Sequence, residues 1–169
     1  MPLSMSQVSV PHLVRMLENL TVILEKGEAF AEAKKIDPSV LLGARLAPDM
    51  FPLSRQVQIA TDGAKGLVAR LAGVEVPSYP DTETTFAELK ARIARTIAFI
   101  QTVPAASIDG SEDKTITLKL RQEVSFPGRF YLLDFVIPNL HFHVTTAYLI
   151  LRHNGVELGK IDYLGPLPG

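Results

Sequence analysis

The segment from Pro138 to Lys160 constrains the fold most strongly, because it carries the clearest helix start and helix end in the chain. Proline is favoured in the first turn of a helix, where its missing N–H group has no helical partner to lose. Asn154 and Gly155 mark the end, since glycine readily adopts the left-handed conformation that terminates helices. The sequence therefore predicts a helix that begins near Pro138 and ends before Gly155.

One face of this predicted helix combines apolar side chains with a polar row. At about 100° per residue, Asn139, His143 and Thr146 fall on one line with apolar residues on both sides. Buried polar groups without partners cost about 1–3 kcal/mol, so the row needs hydrogen bonds to another helix. We expect His143 to point inward, either as a hydrogen-bonded core histidine or as part of a ligand pocket or metal site. His141 falls on the opposite, more polar face.

Three earlier segments show the same helical periodicity. Apolar residues at steps of three and four predict a first helix with Ser9 as its N-cap and an end near Gly27. A second helix is predicted over residues 52–71. Thr85 and Glu88 match a capping box, in which side-chain and backbone groups satisfy each other, and so mark the start of a third helix.

A β-hairpin is predicted between the third and fourth helices. Residues 114–121 alternate between polar and apolar side chains, which is typical of a strand, and Val124 and Phe126 fit a returning strand. Residues 128–137 are expected to form a short helix that leads into the last helix. The tail after Gly155 is expected to be irregular.

Several charged residues are expected to lie on solvated faces. Lys90, Arg92 and Arg95 occupy outer positions of the third helix, and Glu83 precedes its cap. Asp62 is expected to face away from the core on the second helix. Charges arranged in this way normally mark the solvent side of a helix.

Composition narrows the class of protein. A length of 169 residues predicts one domain, and 17 basic against 18 acidic residues give a net charge of −1. No basic block stands out, so nucleic acid and anionic membranes are not expected as partners. There is no cysteine, no recognisable signal peptide and no apolar run long enough for a membrane span. These features predict a cytoplasmic protein.

A family resemblance extends over nearly the whole chain. The run FHVTTAYLILRHNGVELGKIDYLG, together with LAPDMFPLSRQVQIA and RLAGVE, resembles an uncharacterised microbial family within the DinB/YfiT-like superfamily. Many members of this superfamily are regarded as metalloenzymes. The resemblance implies a mostly helical, up-down-down-up four-helix bundle that is often dimeric. It implies no particular activity.

The metal site of that superfamily does not transfer to this chain. Such sites use one histidine from the second helix and an H-x-x-x-H pair from the fourth. Four residues after His143 stands Ala147, four after His141 stands Thr145, and residues 52–71 contain no histidine. No cofactor is therefore firmly expected. A site for zinc or nickel built from His143, His12 and His141 is a weaker alternative.

The leading functional hypothesis is a small-molecule or partner-binding protein with a degenerate metal site. Its ligand would contact Asn139 and His143 on the fourth helix, Gln56 on the second helix and Asp49, which lies just before the second helix. Asn and Gln can each donate and accept hydrogen bonds, and neutral histidine can bind a metal or accept a proton.

Two alternatives remain open. The first is a metal-dependent enzyme of the hydrolase or transferase type, with His143 as one ligand and His12, Asp49 or His141 completing the set. The second is a structural dimer in which the polar row serves only the fold. A homodimer is predicted in either case, with the strip formed by Ile59, Gly63 and Gly66 as a contact surface or as a close contact within one subunit.

Overall fold

The protein is mostly helical, with a small antiparallel sheet, in a computed structural model that describes residues 3–167. The long helices are α1 (Met5–Lys34), α3 (Leu53–Ala72), α4 (Phe86–Thr102) and α7 (Ile137–His153). The shorter elements are α2 (Pro38–Leu42), α5 (Ala105–Ile108), β1 (Thr115–Lys119), β2 (Glu123–Pro127), α6 (Gly128–Phe130), a π-helical segment (Tyr131–Val136) and α8 (Lys160–Leu164).

Helix α1 begins earlier and ends later than the sequence predicted. Ser4 and Gln7 form a capping box at its start, and the Ser9 hydroxyl donates 2.7 Å to the Met5 carbonyl inside the helix. Gly27 does not end the helix, which continues to Lys34, and a Cβ on Gly27 would lie 3.0 Å from Leu151 on α7. The predicted bounds were therefore wrong. Gly27 marks a close approach of two helices, and the helix is capped by Ser4, five residues before Ser9.

Helices α3 and α4 match their predictions. Helix α3 ends at Gly73, whose φ of 75° is the left-handed conformation expected of a terminating glycine. At the start of α4, the Thr85 hydroxyl accepts from the Glu88 backbone N–H at 3.1 Å, and the Glu88 carboxylate accepts from the Thr85 N–H at 3.1 Å. The predicted capping box is therefore confirmed.

The hairpin is also confirmed, with β1 and β2 pairing antiparallel between α4 and α7. After it, the chain is helical from Gly128 onward, which confirms the predicted lead-in, and α7 begins at Ile137 with Pro138 in its first turn, as predicted. A proline ring clashes with the carbonyl four residues earlier, here that of Asp134, which lies in the π-helical segment ending at Val136. The widened turn thus accommodates Pro138 without breaking the helix.

The tail is not irregular as predicted, because α8 docks on α1. The Arg15 guanidinium donates to the Leu164 carbonyl at 2.8 Å, and the Asn19 amide donates to the Tyr163 carbonyl at 2.9 Å. Asp162 forms an ion pair with Lys26 at 2.7 Å. These contacts come from a helix more than 130 residues away, which explains why local patterning gave no signal for α8.

Helix α3 has two long neighbours that position the polar groups described below. It packs on α7 on one side and on α4 on the other, while α1 packs on α4 and α7. The apolar rows of the four long helices meet in one cluster of buried side chains. Polar residues of α3 at the edges of this cluster must therefore find partners on α4 or α7.

Candidate functional site

The inward polar row of α7 meets α3 through His143. This side chain is 7% exposed, and its Nδ1 lies 2.7 Å from Oε1 of Gln56. The Gln56 Nε2 in turn donates to the Phe51 carbonyl at 2.9 Å. Two of the residues predicted from the sequence, His143 and Gln56, are therefore brought into direct contact.

This hydrogen-bond chain fixes the tautomer of His143. Because the Gln56 amide donates through its nitrogen to Phe51, its oxygen faces His143 and must accept. The imidazole therefore carries its proton on Nδ1. The Nε2 atom of His143 has no hydrogen-bond partner among residues 3–167. Every fully buried side-chain nitrogen in that range does have a partner, so Nε2 is not fully buried and reaches solvent.

The charge state of His143 is equally well defined. Burial, and secondarily the positive charge of Arg55, lower the pKa of His143 to about 4. The imidazole is consequently neutral at pH 7, with an accessible lone pair on Nε2. A neutral imidazole of this kind can accept a hydrogen bond or bind a metal.

The other predicted site residues are dispersed. Asn139 is half-buried one turn before His143 and lies beside Gly63 of α3. Thr146, also in the predicted row, is buried but donates to the Phe142 carbonyl of its own helix at 2.7 Å. Asp49 is exposed in the connection before α3. The structure therefore groups Gln56, Asn139 and His143 along one seam and leaves Asp49 on the surface.

The three histidines proposed as metal ligands do not come together. His12 and His141 face each other with their Nε2 atoms 3.0 Å apart, whereas His143 pairs with Gln56. Within residues 3–167 there is no group of three or more His, Cys, Asp or Glu side chains that could hold a metal ion. The residues present thus do not fit the superfamily's three-histidine site.

A groove adjoins Asn139 at the same seam. It has a volume of about 280 Å³ and lies between α3, the π-helical segment and β1. Its wall is partly apolar, from residues such as Ile59 and Phe135, and partly polar, from Asn139, Arg70 and Tyr131. The groove therefore offers both apolar contact and convergent hydrogen-bonding groups.

The position of Arg70 in this groove depends on the absence of a side chain at Gly66, one helical turn earlier. The Nη1 of Arg70 donates to the Tyr131 hydroxyl at 3.0 Å, and a Cβ built on Gly66 would lie only 2.3 Å from that Nη1. Gly66 is buried, and Gly63 lines the groove. Gly66 therefore makes a close contact within its own helix, whereas a Cβ on Gly63 would meet Asn139 at an ordinary 3.7 Å, and the use of the strip with Ile59 in a dimer stays a prediction.

The charges in the groove are unevenly compensated. Arg55 pairs with Asp81, and Asp62 pairs with both Lys65 and Arg92. Arg70, by contrast, forms no salt bridge with any residue in the described range 3–167. No local pattern singles out Arg70, although its spacing of four residues from Gly66 is visible in the sequence.

A second polar cluster lies on the other side of α3, where α4 packs. The guanidinium of Arg92 is 1% exposed and contacts Asp62 at 2.8 Å, Asp81 at 3.1 Å and Glu83 at 3.0 Å. Its Nε donates to the Thr61 hydroxyl at 2.8 Å. The prediction that Arg92 and Glu83 face solvent was wrong, because the connection before α4 folds back over them.

Comparison with known proteins identifies the family. The model described as "Domain of unknown function (DUF1993)" matches residues 5–164. The chain belongs to the DUF1993 family. The crystal structure of a DinB family member protein from Shewanella denitrificans is 46% identical, with a TM-score of 0.87, and the match covers 97% of this chain and 93% of that chain. No curated protein matches the chain.

These similarities confirm that the DUF1993 chain is DinB-like and mostly helical. Over residues 3–167, none of the helices is both long and apolar enough to cross a membrane.

Proposed function

We propose that this DUF1993 protein binds a small organic anion in the groove between α3 and the π-helical segment. The observation that carries this proposal is the guanidinium of Arg70, which is buttressed by Tyr131, seated over Gly66 and uncompensated by any carboxylate in the described chain. A planar guanidinium presents several N–H donors that match the geometry of a carboxylate. One bond to Tyr131 leaves the other donors available.

The size of the groove limits the ligand. A volume of about 280 Å³ is at the lower end of ordinary ligand sites, so the ligand is small. Phe135 and Ile59 supply apolar contact, while Asn139 can donate to or accept from a second polar group. An aromatic carboxylate combines these features, with its ring against the apolar wall and its anionic group at Arg70.

His143 and Gln56 play a supporting part in this proposal. They lie on the same α3–α7 seam as Asn139, and their hydrogen bond fixes the relative position of the two helices. The accessible Nε2 of His143 is an acceptor that a ligand with a donor group would reach from solvent. Asp49, exposed before α3, takes no part in the binding that we propose.

We also infer the up-down-down-up arrangement of the four long helices. The end of α1 lies beside the start of α4, and the end of α3 lies beside the start of the helical path that leads into α7. The starts of α1 and α7 lie together. These contacts support α1 and α7 running one way and α3 and α4 the other. A homodimer and a cytoplasmic location remain predictions.

The alternative of a metal-dependent enzyme, of the hydrolase or transferase type, rests on one observation. His143 has its Nδ1 held by Gln56 and its Nε2 free, which is how a metal-binding histidine is usually oriented by its second partner. A metal at His143 would require two further ligands, which would have to come into place when the metal binds. Loss of zinc binding in His143→Gln would favour this alternative.

A benzoate titration followed by NMR tests the proposed groove. We expect saturable shifts of the Asn139 side-chain amide in the wild type. Arg70→Met should weaken binding by roughly 10–150-fold, the equivalent of about 1.5–3 kcal/mol for a hydrogen bond to a charged group. Arg121→Met, which removes an exposed positive charge from the hairpin turn, is the matched control and should change little.

Gly66→Ala separates binding from stability. Alanine favours the helix by about 0.5–1 kcal/mol over glycine, so the variant should fold well. Its Cβ would nevertheless displace the Arg70 guanidinium, and benzoate binding should weaken as in Arg70→Met. Equal affinity in the wild type and both variants, or no saturable shift at Asn139, would contradict the proposal.

A further inference from the structure

A pair of histidines lies outside the groove, where α1, α7 and α8 meet. The Nε2 atoms of His12 and His141 are 3.0 Å apart, and the two rings are tilted by 54°. The other nitrogen of His141, Nδ1, lies 2.5 Å from the Tyr163 hydroxyl. Both histidines are half-buried, so solvent reaches this cluster.

We propose that His12 and His141 form a binding site for a divalent transition metal of the zinc and nickel class, with both Nε2 atoms as ligands. In this arrangement the Tyr163 hydroxyl accepts from Nδ1–H of His141 and orients its ring. The site uses neither Arg70 nor His143, so a test of metal binding here is independent of the test of ligand binding in the groove.

The distance between the two nitrogens suits a metal. Zinc–imidazole bonds of about 2.0–2.1 Å in tetrahedral geometry place two ligand nitrogens about 3.3–3.4 Å apart. The observed 3.0 Å thus needs to widen by only a few tenths of an ångström. Because the two histidines lie on different helices, a metal there would link α1 to α7.

The protons in the cluster can be accounted for without a net change. In the metal-free pair, one Nε2–H donates to the lone pair of the other Nε2, since both imidazoles are neutral. Metal binding replaces the N–H···N bond by two N–metal bonds, and the displaced proton moves to Nδ1 of the same ring.

The remaining coordination positions belong to water. No third His, Cys, Asp or Glu side chain completes a metal-binding group in the described part of the chain. Two imidazoles on a half-buried surface give a site that is open to solvent and weaker than a structural zinc site with four protein ligands. We expect micromolar affinity and a stoichiometry of one ion per chain.

Calorimetry with zinc chloride, on protein without a histidine tag and near neutral pH, tests the site. His12→Gln and His141→Gln should each abolish the binding event. Tyr163→Phe should weaken it by about 10–100-fold, the usual effect of removing the partner that orients a metal ligand. His153→Gln, which changes an exposed histidine at the end of α7, is the matched control and should bind zinc like the wild type.

An independent measurement on the wild type covers the case in which a variant fails to fold. Zinc should shift the imidazole nitrogen resonances of His12 and His141 in a long-range NMR spectrum and leave those of His143 unchanged. No zinc binding, binding that survives both His12→Gln and His141→Gln, or shifts confined to His143 and His153 would overturn the proposal.

Discussion

The two sides of α3 bury polar groups by opposite means. Toward α4, the charged Arg92 is surrounded by Asp62, Asp81 and Glu83, and its donors all have acceptors. Toward α7, His143 is neutral, and Gln56 is its one hydrogen-bond partner within residues 3–167, which leaves one nitrogen without a bond to that part of the chain. Both residues are almost fully buried, with whole-residue exposures of 2% for Arg92 and 7% for His143.

The difference follows from the cost of burying charge. An ionised group withdrawn from water needs opposite charges and hydrogen bonds, and arginine cannot escape this cost by losing its proton. Histidine can, and the pKa of His143 falls to about 4. On the α3–α4 side, the hydrogen-bonding and charged groups therefore pair with one another and serve the fold. On the α3–α7 side, the Nε2 acceptor of His143 and the charge of Arg70 have no such partners within residues 3–167 and are available to a ligand.

The largest expected effect is on the charged side. Arg92→Met should lower the free energy of unfolding by about 3–5 kcal/mol, because it leaves several carboxylates close together without their shared cation. Urea denaturation measures this loss. Arg95→Met removes an exposed guanidinium stacked on Tyr79 and should cost about 1 kcal/mol or less. Similar losses in both variants would contradict a special role for the buried cluster.

The second prediction concerns pH and the neutral side. Because the folded-state pKa of His143 lies below its unfolded value near 6.5, the unfolded chain binds the extra proton as pH falls from about 6.5 to 4. The stabilisation is fully present above about 6.5 and is lost across that range. We expect a loss of about 2 kcal/mol, after a discount for the solvent at Nε2.

His143→Gln supplies the comparison for this pH dependence. Urea denaturation at pH 7 and at pH 4 should show a smaller loss of stability for His143→Gln than for the wild type. The control His153→Gln changes an exposed histidine at the end of α7 and should keep the wild-type profile. Identical pH profiles for His143→Gln and the wild type would show that His143 is not buried in its neutral form.

The smallest effect is expected at Arg55, which touches both sides of α3. It pairs with Asp81 near the charged cluster, and its charge helps to lower the pKa of His143. Arg55→Met should reduce stability by less than about 1 kcal/mol, since the pair is partly exposed. NMR titration should show a slightly raised pKa for His143, while Arg121→Met should leave it unchanged. A large loss of stability would mean that the two sides are coupled.

Local signals were sufficient for some elements and misleading for others. The capping box of Thr85 and Glu88 and the alternation in residues 114–121 correctly located α4 and the hairpin, because their partners lie within a few residues. The start of α1 was misassigned since Ser4 and Ser9 are both good caps. The earlier start carries a local signal of its own, because Ser4 and Gln7 have the three-residue spacing of a capping box.

The candidate site divides in the same way. Helical periodicity was enough to place His143 inward and Gln56 near the core, and the structure joins them at 2.7 Å. It could not identify Arg70, whose importance depends on Tyr131 from a distant segment and on the room that Gly66 leaves. Spacing within one helix fixes which way a residue points, but it does not specify the groups that it meets.

The sequence by itself determined which helix faces are apolar, where most long helices are capped and that the superfamily's three-histidine set is incomplete. Those properties depend on residue type and on neighbours within a turn. Only the tertiary structure decided that Arg92 is buried, that His12 meets His141 and that Arg70 forms no salt bridge within residues 3–167. Burial and electrostatic pairing depend on contacts between residues far apart in the chain, and these exist only once the helices have packed.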